Sequence, residues 1–259
     1  MTETMLDSGT YRETRAAWER IWGEETDFSL ELQTVDYARS KHVRSLYLPY
    51  LSPTHPILEA GCGLGVELIG LSRQGLSAIG LDYATNALLE LHDRQPRFRL
   101  VGGDIHRLPF PDGAFGAYLS FGVLEHFEFG PEPALREASR VLRPDGVLVL
   151  TVPYPNFVWR WARLRTASTG RAPAPGPRYF ETAYSLRRLE GHLRAAGFAV
   201  TARHPVGHSF ALWGLGGPFR DPGYYQTSFL AERLGNLMER VFAWPMCHAT
   251  LVIGRKTAA

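Results

Sequence analysis

Four side chains in the first half of the sequence stand where they could bind a polar ligand or move a proton: Glu59, Asp82, Asp104 and His126. Asp82 ends the apolar run Ser77-Ala78-Ile79-Gly80-Leu81. A carboxylate closing the second strand of a βαβ unit can accept hydrogen bonds from two ribose hydroxyls. Asp104 follows Phe98-Arg99-Leu100-Val101 and a Gly102-Gly103 step. An acid there can face an adenine amino group while the neighbouring Ile105 covers the ring. His126 lies in Phe121-Gly122-Val123-Leu124-Glu125-His126-Phe127, just past a fourth apolar run at Gly116–Phe121. An imidazole with an ordinary pKa near ~6.5 suits proton transfer at neutral pH, so His126 is the candidate general base, with a positioning role as its alternative. Glu125 is expected to cap a turn or pair with an arginine. Tyr154 is a weaker candidate for the acceptor side.

Glu59 opens the segment that organises the others, Ile57-Leu58-Glu59-Ala60-Gly61-Cys62-Gly63-Leu64-Gly65. An apolar run that stops at glycines reads as a buried strand entering a tight turn. Glycine at every second position lets the backbone approach a ligand closely. Val66–Leu71 is helix-compatible and would aim a helix N-terminus at the ligand's polar end. A pyrophosphate loop for a nicotinamide dinucleotide would read Gly-x-Gly-x-x-Gly, and Val66 takes the place of its third glycine. That disfavours a NAD-dependent oxidoreductase.

Further elements follow in order: Phe110-Pro111-Asp112-Gly113-Ala114-Phe115 before the fourth strand, and Val141-Leu142-Arg143-Pro144-Asp145-Gly146 turning into a fifth at Val147–Val152. Strands alternating with helices argue for a mostly parallel sheet. With these stretches in place, the sequence resembles the class I S-adenosylmethionine-dependent methyltransferases, and within them the group that includes the ubiquinone and menaquinone methyltransferases. The likeness covers about residues 55–155 and rests on Glu59–Gly65, Leu81-Asp82, Gly103-Asp104-Ile105, Leu108-Pro109-Phe110 and Leu142–Gly146. It is specific for fold and cofactor and says little about the methyl acceptor.

The resemblance implies an α/β fold: a doubly wound, Rossmann-like, seven-stranded sheet, mostly parallel with an antiparallel last strand. It implies S-adenosyl-L-methionine as cofactor and S-adenosyl-L-homocysteine as product. Gly61, Cys62, Gly63 and Gly65 would form the loop beneath the methionine moiety, with Glu59 holding it. Asp82 would bind the ribose with Tyr83 beside the adenine, Asp104 and Ile105 would contact the adenine, and Phe121-Gly122 would lie near the methionine amino group. The expected reaction is methyl transfer to an oxygen, ahead of carbon or nitrogen, of a largely apolar small molecule such as a quinone, polyketide or other specialised metabolite. A lipid-linked or saccharide acceptor, or a cofactor-binding regulator without turnover, is the alternative.

The chain is expected to be one domain: N-terminal lid helices at 1–51, a cofactor core at 52–152, and acceptor-side insertions at 153–184 and 207–246. Phe198–Arg203 and Ala249–Ile253 read as strands six and seven. The insertion contains Phe210, Trp213, Phe219, Tyr224, Tyr225 and Phe229, candidates for lining an acceptor pocket. A helical stretch follows with the apolar stripe Leu230, Leu234, Leu237, Met238, Val241 and Phe242, expected to pack on the domain. Arg233 and Arg240 are matched in number by Glu232 and Glu239, which disfavours a membrane-surface helix.

Composition is that of a globular protein: 259 residues, 45% apolar and a formal charge of +2, too small to argue for nucleic acid. Arg160–Arg178 holds five arginines and no acid; a solvated face or an anion contact would explain it. Two cysteines give neither a disulfide framework nor metal-ligand spacing, and His204 with His208 lacks a third ligand, so no metal is expected. The polar N-terminus and the absence of an 18-residue apolar run suggest a cytoplasmic chain with no transmembrane segment. Peripheral membrane contact and either a monomer or a homodimer remain compatible with it.

Overall fold

The computed structural model describes residues 8–158, 160, 181–222 and 226–257. Seven strands form one sheet in the order β3-β2-β1-β4-β5-β7-β6. They are β1 (Ile57–Ala60), β2 (Ala78–Asp82), β3 (Arg99–Gly102), β4 (Phe115–Phe121), β5 (Leu142–Pro153), β6 (Phe198–Val206) and β7 (Ala249–Lys256). Every pair is parallel except those made by β7, which runs antiparallel to both β5 and β6. The expected sheet is the one observed. The Arg-rich 160–178 stretch, apart from Arg160, and Tyr224 and Tyr225 lie outside the described residues.

The strand order reverses direction between β1 and β4, and ligands of open α/β sheets bind at that point, beyond the strands' carboxyl ends. Register brings those ends level: Ala60 pairs with Leu81 and Glu59 with Leu119. Gly61, Asp82 and Phe121 therefore leave the sheet side by side. Helices α4 (Val66–Arg73), α5 (Thr85–Arg94) and α6 (Glu132–Val141) cover the sheet. In α6, Ala134, Leu135, Ala138 and Val141 are buried at helical spacing. One apolar cluster, including Leu58, Tyr118 and Leu148, occupies one face, and a second, including Tyr47, Leu119 and Val149, the other.

Ahead of the sheet come α1 (Gly9–Arg20), a π-helical turn (Ile21–Glu25), α2 (Phe28–Gln33) and α3 (Ala38–Tyr47). The hydroxyl of Ser8 caps α1 by accepting from the Tyr11 N–H at 3.1 Å, and Asp27 caps α2.

Two expectations change. The Leu142–Gly146 turn is absorbed into β5 as a wide bulge: Phe115 pairs with Leu142, but Ala117 pairs with Val147. Asp145, at φ 59°, makes the bend, and its carbonyl accepts from Arg255. The second change concerns the insertion helix Phe229–Val241. Only Ala231 and Gly235 of that helix are buried, and Gly235 lies so close to Ser209 that a Cβ would come within 2.6 Å of its nitrogen. This close small-residue contact turns the expected packing stripe outward: Leu230, Leu234, Leu237, Val241 and Phe242 are exposed.

Candidate active site

The carboxyl ends of β1, β2 and β4 border two cavities that share Trp22, Gly61, Phe121 and Gly122 in their walls. The smaller, about 160 Å³, is also lined by Asp82, Tyr83, Ile105 and His126. The larger, about 380 Å³, is bordered by Glu59, Cys62, Gly63 and Glu125, and extends to Val206, Phe210 and His248.

The loop between β1 and α4 is built to admit a ligand. Gly61 sits at φ +81°, and a Cβ there would come 2.4 Å from the Val123 side chain. Gly63, at φ +47°, lies under the Trp22 ring, which a Cβ would meet at 2.8 Å. The π-helical turn that carries Trp22 thus rests directly on the loop. Gly65 begins α4 in a left-handed conformation. Cys62 contributes its backbone to the loop while its thiol packs in a core cluster with Leu64 and Leu68. Burial pushes that thiol well above its ordinary pKa, which leaves it unreactive.

Asp82 is buried, and its two oxygens accept from the Gly63 N–H at 2.8 Å and the Ala84 N–H at 2.9 Å. Burial raises its pKa, against the pull of these amides. Because a carboxylate offers about four acceptor sites, this pinned side chain can still meet two hydroxyls. Tyr83 is covered by α1: Arg15 lies over its ring at 5.6 Å.

Asp104, expected at the adenine, is held by groups of the protein itself. It does not line the smaller cavity. One of its oxygens accepts from the His106 N–H at 2.8 Å and lies 2.7 Å from His106 Nδ1, and the other accepts from the Tyr11 hydroxyl. Burial alone would raise its pKa, but His106 and Tyr11 together hold it below the usual value. Asp104 thus ties the N-terminal helix to the loop after β3, and Ile105 lines the smaller cavity.

Glu59 is the reverse case. It is 4% exposed, and its Oε2 has no hydrogen-bond partner. Burial, then the charge of Glu67, pushes its carboxyl well above the ordinary range, opposed by the Leu68 amide. Glu67 itself is neutralised by a two-point pairing with Arg44, at 3.0 Å for each contact, and by the Tyr47 hydroxyl. An orphaned carboxylate in the cavity wall fits a cationic group, as the α-ammonium of a methionine moiety would supply. The residues present thus fit the implied cofactor at both of its ends.

His126 and Glu125 occupy one short 3₁₀ turn (Leu124–His126) and diverge, as successive residues of such a turn do by about 120°. His126 lies in the smaller cavity with its ring 5.1 Å from that of Trp18. It lines the smaller cavity and not the larger one. Glu125 borders that larger cavity, is 4% exposed, and has an Oε2 without a partner. Burial pushes its carboxyl well above the ordinary range, and the Glu181 charge adds to this. Among the described residues it neither caps a helix nor pairs with an arginine, contrary to expectation, because the turn aims it inward.

The insertion contributes Phe210 to the larger cavity; Trp213, Phe219 and Phe229 do not line it. Tyr154 borders a separate surface hollow with Trp244, their rings 5.5 Å apart, and so leaves the acceptor side. The Nε2 of His208 lies 2.7 Å from the Ala243 carbonyl oxygen. Arg39, missed in the sequence, lines the larger cavity between the rings of Tyr37 and Phe210, held by Glu232 and Thr227.

Comparison with known proteins agrees with this geometry. Residues 58–150 match the family model described as "Methyltransferase domain". A probable S-adenosylmethionine-dependent methyltransferase of Mycobacterium tuberculosis is 31% identical over 136 residues, covering 51% of this chain and 48% of its own length. A demethylmenaquinone methyltransferase of Mycolicibacterium gilvum is 37% identical over 101 residues, 39% of this chain and 42% of the relative. The chain thus aligns with about half the length, or less, of these curated relatives. Among solved structures, the 1,6-didemethyltoxoflavin-N1-methyltransferase of Burkholderia thailandensis, with bound 1,6-didemethyltoxoflavin and S-adenosylhomocysteine, superposes with a TM-score of 0.62 at 18% identity, over 95% of this chain and 88% of that one. At that identity the likeness speaks for the fold. Sheet order, glycine loop and the match over residues 58–150 together are those of a class I S-adenosylmethionine-dependent methyltransferase domain, to which this part of the chain is similar. The cofactor to which these likenesses point is S-adenosylmethionine.

Proposed function

We propose that the chain transfers a methyl group from S-adenosylmethionine to an oxygen of a largely apolar small molecule, of the quinone, polyketide or specialised-metabolite kind, and that Glu125 receives the acceptor's proton. The cofactor supplies a methyl group already activated on a sulfonium, so the protein's task is to orient the acceptor and exclude water. Val206, Phe210 and Ala249 give the larger cavity apolar walls, and Phe121 and Gly122 border both cavities, where donor and acceptor would meet. Such walls with a few placed polar groups are typical of small-molecule sites.

The observation that carries this reading is the unpartnered Glu125 oxygen in the cavity wall. A buried carboxyl left without a partner is costly unless a ligand satisfies it. A hydroxyl on the acceptor would do so, and a carboxylate whose pKa has been raised is a stronger base for that proton. His126, on the nucleoside side, is then a positioning residue that fixes Trp18.

The test has two stages. Calorimetric titration with S-adenosylhomocysteine, with NADH as control, is expected to show binding of the former alone. Transfer of a labelled methyl group from S-adenosylmethionine to a panel of apolar hydroxylated compounds, and to matched compounds with the hydroxyl blocked, then reads the acceptor atom. Methylation of the blocked compounds at carbon or nitrogen would remove the oxygen assignment and with it the role of Glu125.

A further inference from the structure

The helix Phe229–Val241 carries more than an exposed stripe. Glu232 and Glu239 are seven residues apart, as are Arg233 and Arg240, so each pair lines one side of the helix, and the two sides are turned about 100° from each other. Glu232 faces inward and pairs with Arg39, and Glu239 pairs with His42. Both acids are spent on α3. Arg233 and Arg240 make no ion pair among the described residues, and the Arg233 guanidinium lies 5.7 Å from the Phe229 ring. The balance of charge that the sequence suggests is therefore absent from the outer face. That face presents Phe229, 75% exposed, Leu237, 58% exposed, Leu230 and Val241, bordered by two unpaired arginines.

We propose that this face docks on an anionic phospholipid surface. Exposed apolar side chains rimmed by arginine, on a helix whose acids point away, form the pattern of an interfacial helix lying in the plane of the headgroups. Arginine side chains reach phosphates while their stems cover apolar surface. A second copy of the chain fits less well: pairing this face with itself brings arginines to a surface with no acid to receive them. The described residues contain no helix long and apolar enough to cross a membrane, so the contact is peripheral. Through Glu232 and Arg39 the helix is tied to the wall of the larger cavity, which sets that cavity beside the docked surface.

The test uses the full chain and no acceptor, so it stands apart from the methyl-transfer reading. Sedimentation with phosphatidylcholine vesicles is compared with sedimentation on vesicles that also contain phosphatidylglycerol. Binding to the anionic vesicles alone is expected, weakening as salt screens the arginines. The R233E/R240E double variant should lose about tenfold or more in partitioning, and F229S/L237S should lose a comparable amount. Both should keep the wild-type melting profile and S-adenosylhomocysteine affinity, since the altered side chains are exposed; R233E/R240E alone decides if the other does not fold. Equal binding to both vesicle types, or anionic binding unchanged in R233E/R240E, would overturn the proposal. A dimer seen by light scattering that F229S/L237S converts to monomer, without vesicle binding by the wild type, would overturn it too and give the face to a second copy.

Discussion

The two ends of the site treat their acids in opposite ways. At the nucleoside end, Asp82 is held by two backbone amides and Asp104 by His106 and Tyr11. At the other end, Glu59 and Glu125 are as deeply buried as Asp82 and more so than Asp104, yet each keeps an oxygen with no protein partner. Satisfied acids fix the shape of a site, since their hydrogen bonds are made before any ligand arrives. Unsatisfied ones hold a place for a ligand group and remain costly until it comes. The first kind should matter for folding and cofactor retention, the second for what the bound molecules do.

Glu125→Gln is the strongest way to break this comparison. Loss of a positioned general base typically removes about 10²–10⁴ in rate. A fall of that size in kcat is expected, with S-adenosylhomocysteine affinity nearly unchanged in calorimetry. The wild-type rate should also decline as pH falls through the raised Glu125 pKa, and the Gln variant should lack that limb. An equal loss of cofactor affinity would move Glu125 to the same side as Asp82.

Asp82→Ala comes next. It removes two expected ribose contacts and the Gly63 anchor, at a cost of about 2 kcal/mol, roughly thirtyfold in affinity. Because the anchor exists without ligand, the melting temperature of the ligand-free protein should fall as well. A loss confined to binding would show that the anchor contributes nothing to the fold.

The orphaned acids also make a prediction about pH. Glu59 and Glu125 have folded-state pKa values raised above those of the unfolded chain. Their protonated forms favour the fold, so that contribution is full below the ordinary carboxylate pKa and is lost as pH rises through the folded values. The ligand-free protein should therefore melt lower as pH rises above the ordinary carboxylate range. Glu59→Gln and Glu125→Gln should each flatten that slope and raise stability at neutral pH, a gain of a few degrees for about 1 kcal/mol. Thermal scans across pH check this, and an unchanged slope in both variants would refute it.

How much of this could be read from the sequence follows from how locally each feature is encoded. The turn of Gly61, Gly63 and Gly65 and the placing of Asp82 beside it are legible because a strand end and its turn lie within a few residues, and the parallel register sets them side by side. Glu125 and His126 were harder: which of two neighbours faces which cavity depends on the twist of a single 3₁₀ turn. The stripe on Phe229–Val241 was visible as a period, but periodicity gives no sign. Ala231 and Gly235 chose the inner side by permitting close approach to Ser209, a tertiary fact. Tyr11 and Asp104 are far apart in the chain, and nothing local to either marks the contact.

That contact gives the mildest and most discriminating test. Tyr11→Phe deletes one hydroxyl and keeps the ring, which stacks on Phe127 with centroids 6.2 Å apart. Asp104 retains its His106 partner, so the fold should lose only about 1 kcal/mol. If Asp104 serves to clamp α1, the release should show as faster dissociation of S-adenosylhomocysteine and faster amide exchange in α1, with little change in kcat. Asp104→Asn, which preserves size but weakens both partners, should give the same pattern more strongly. Were Asp104 instead an adenine ligand, its Asn variant would weaken binding while Tyr11→Phe left dissociation untouched. The two variants together therefore decide whether this acid holds the protein to itself or to its cofactor.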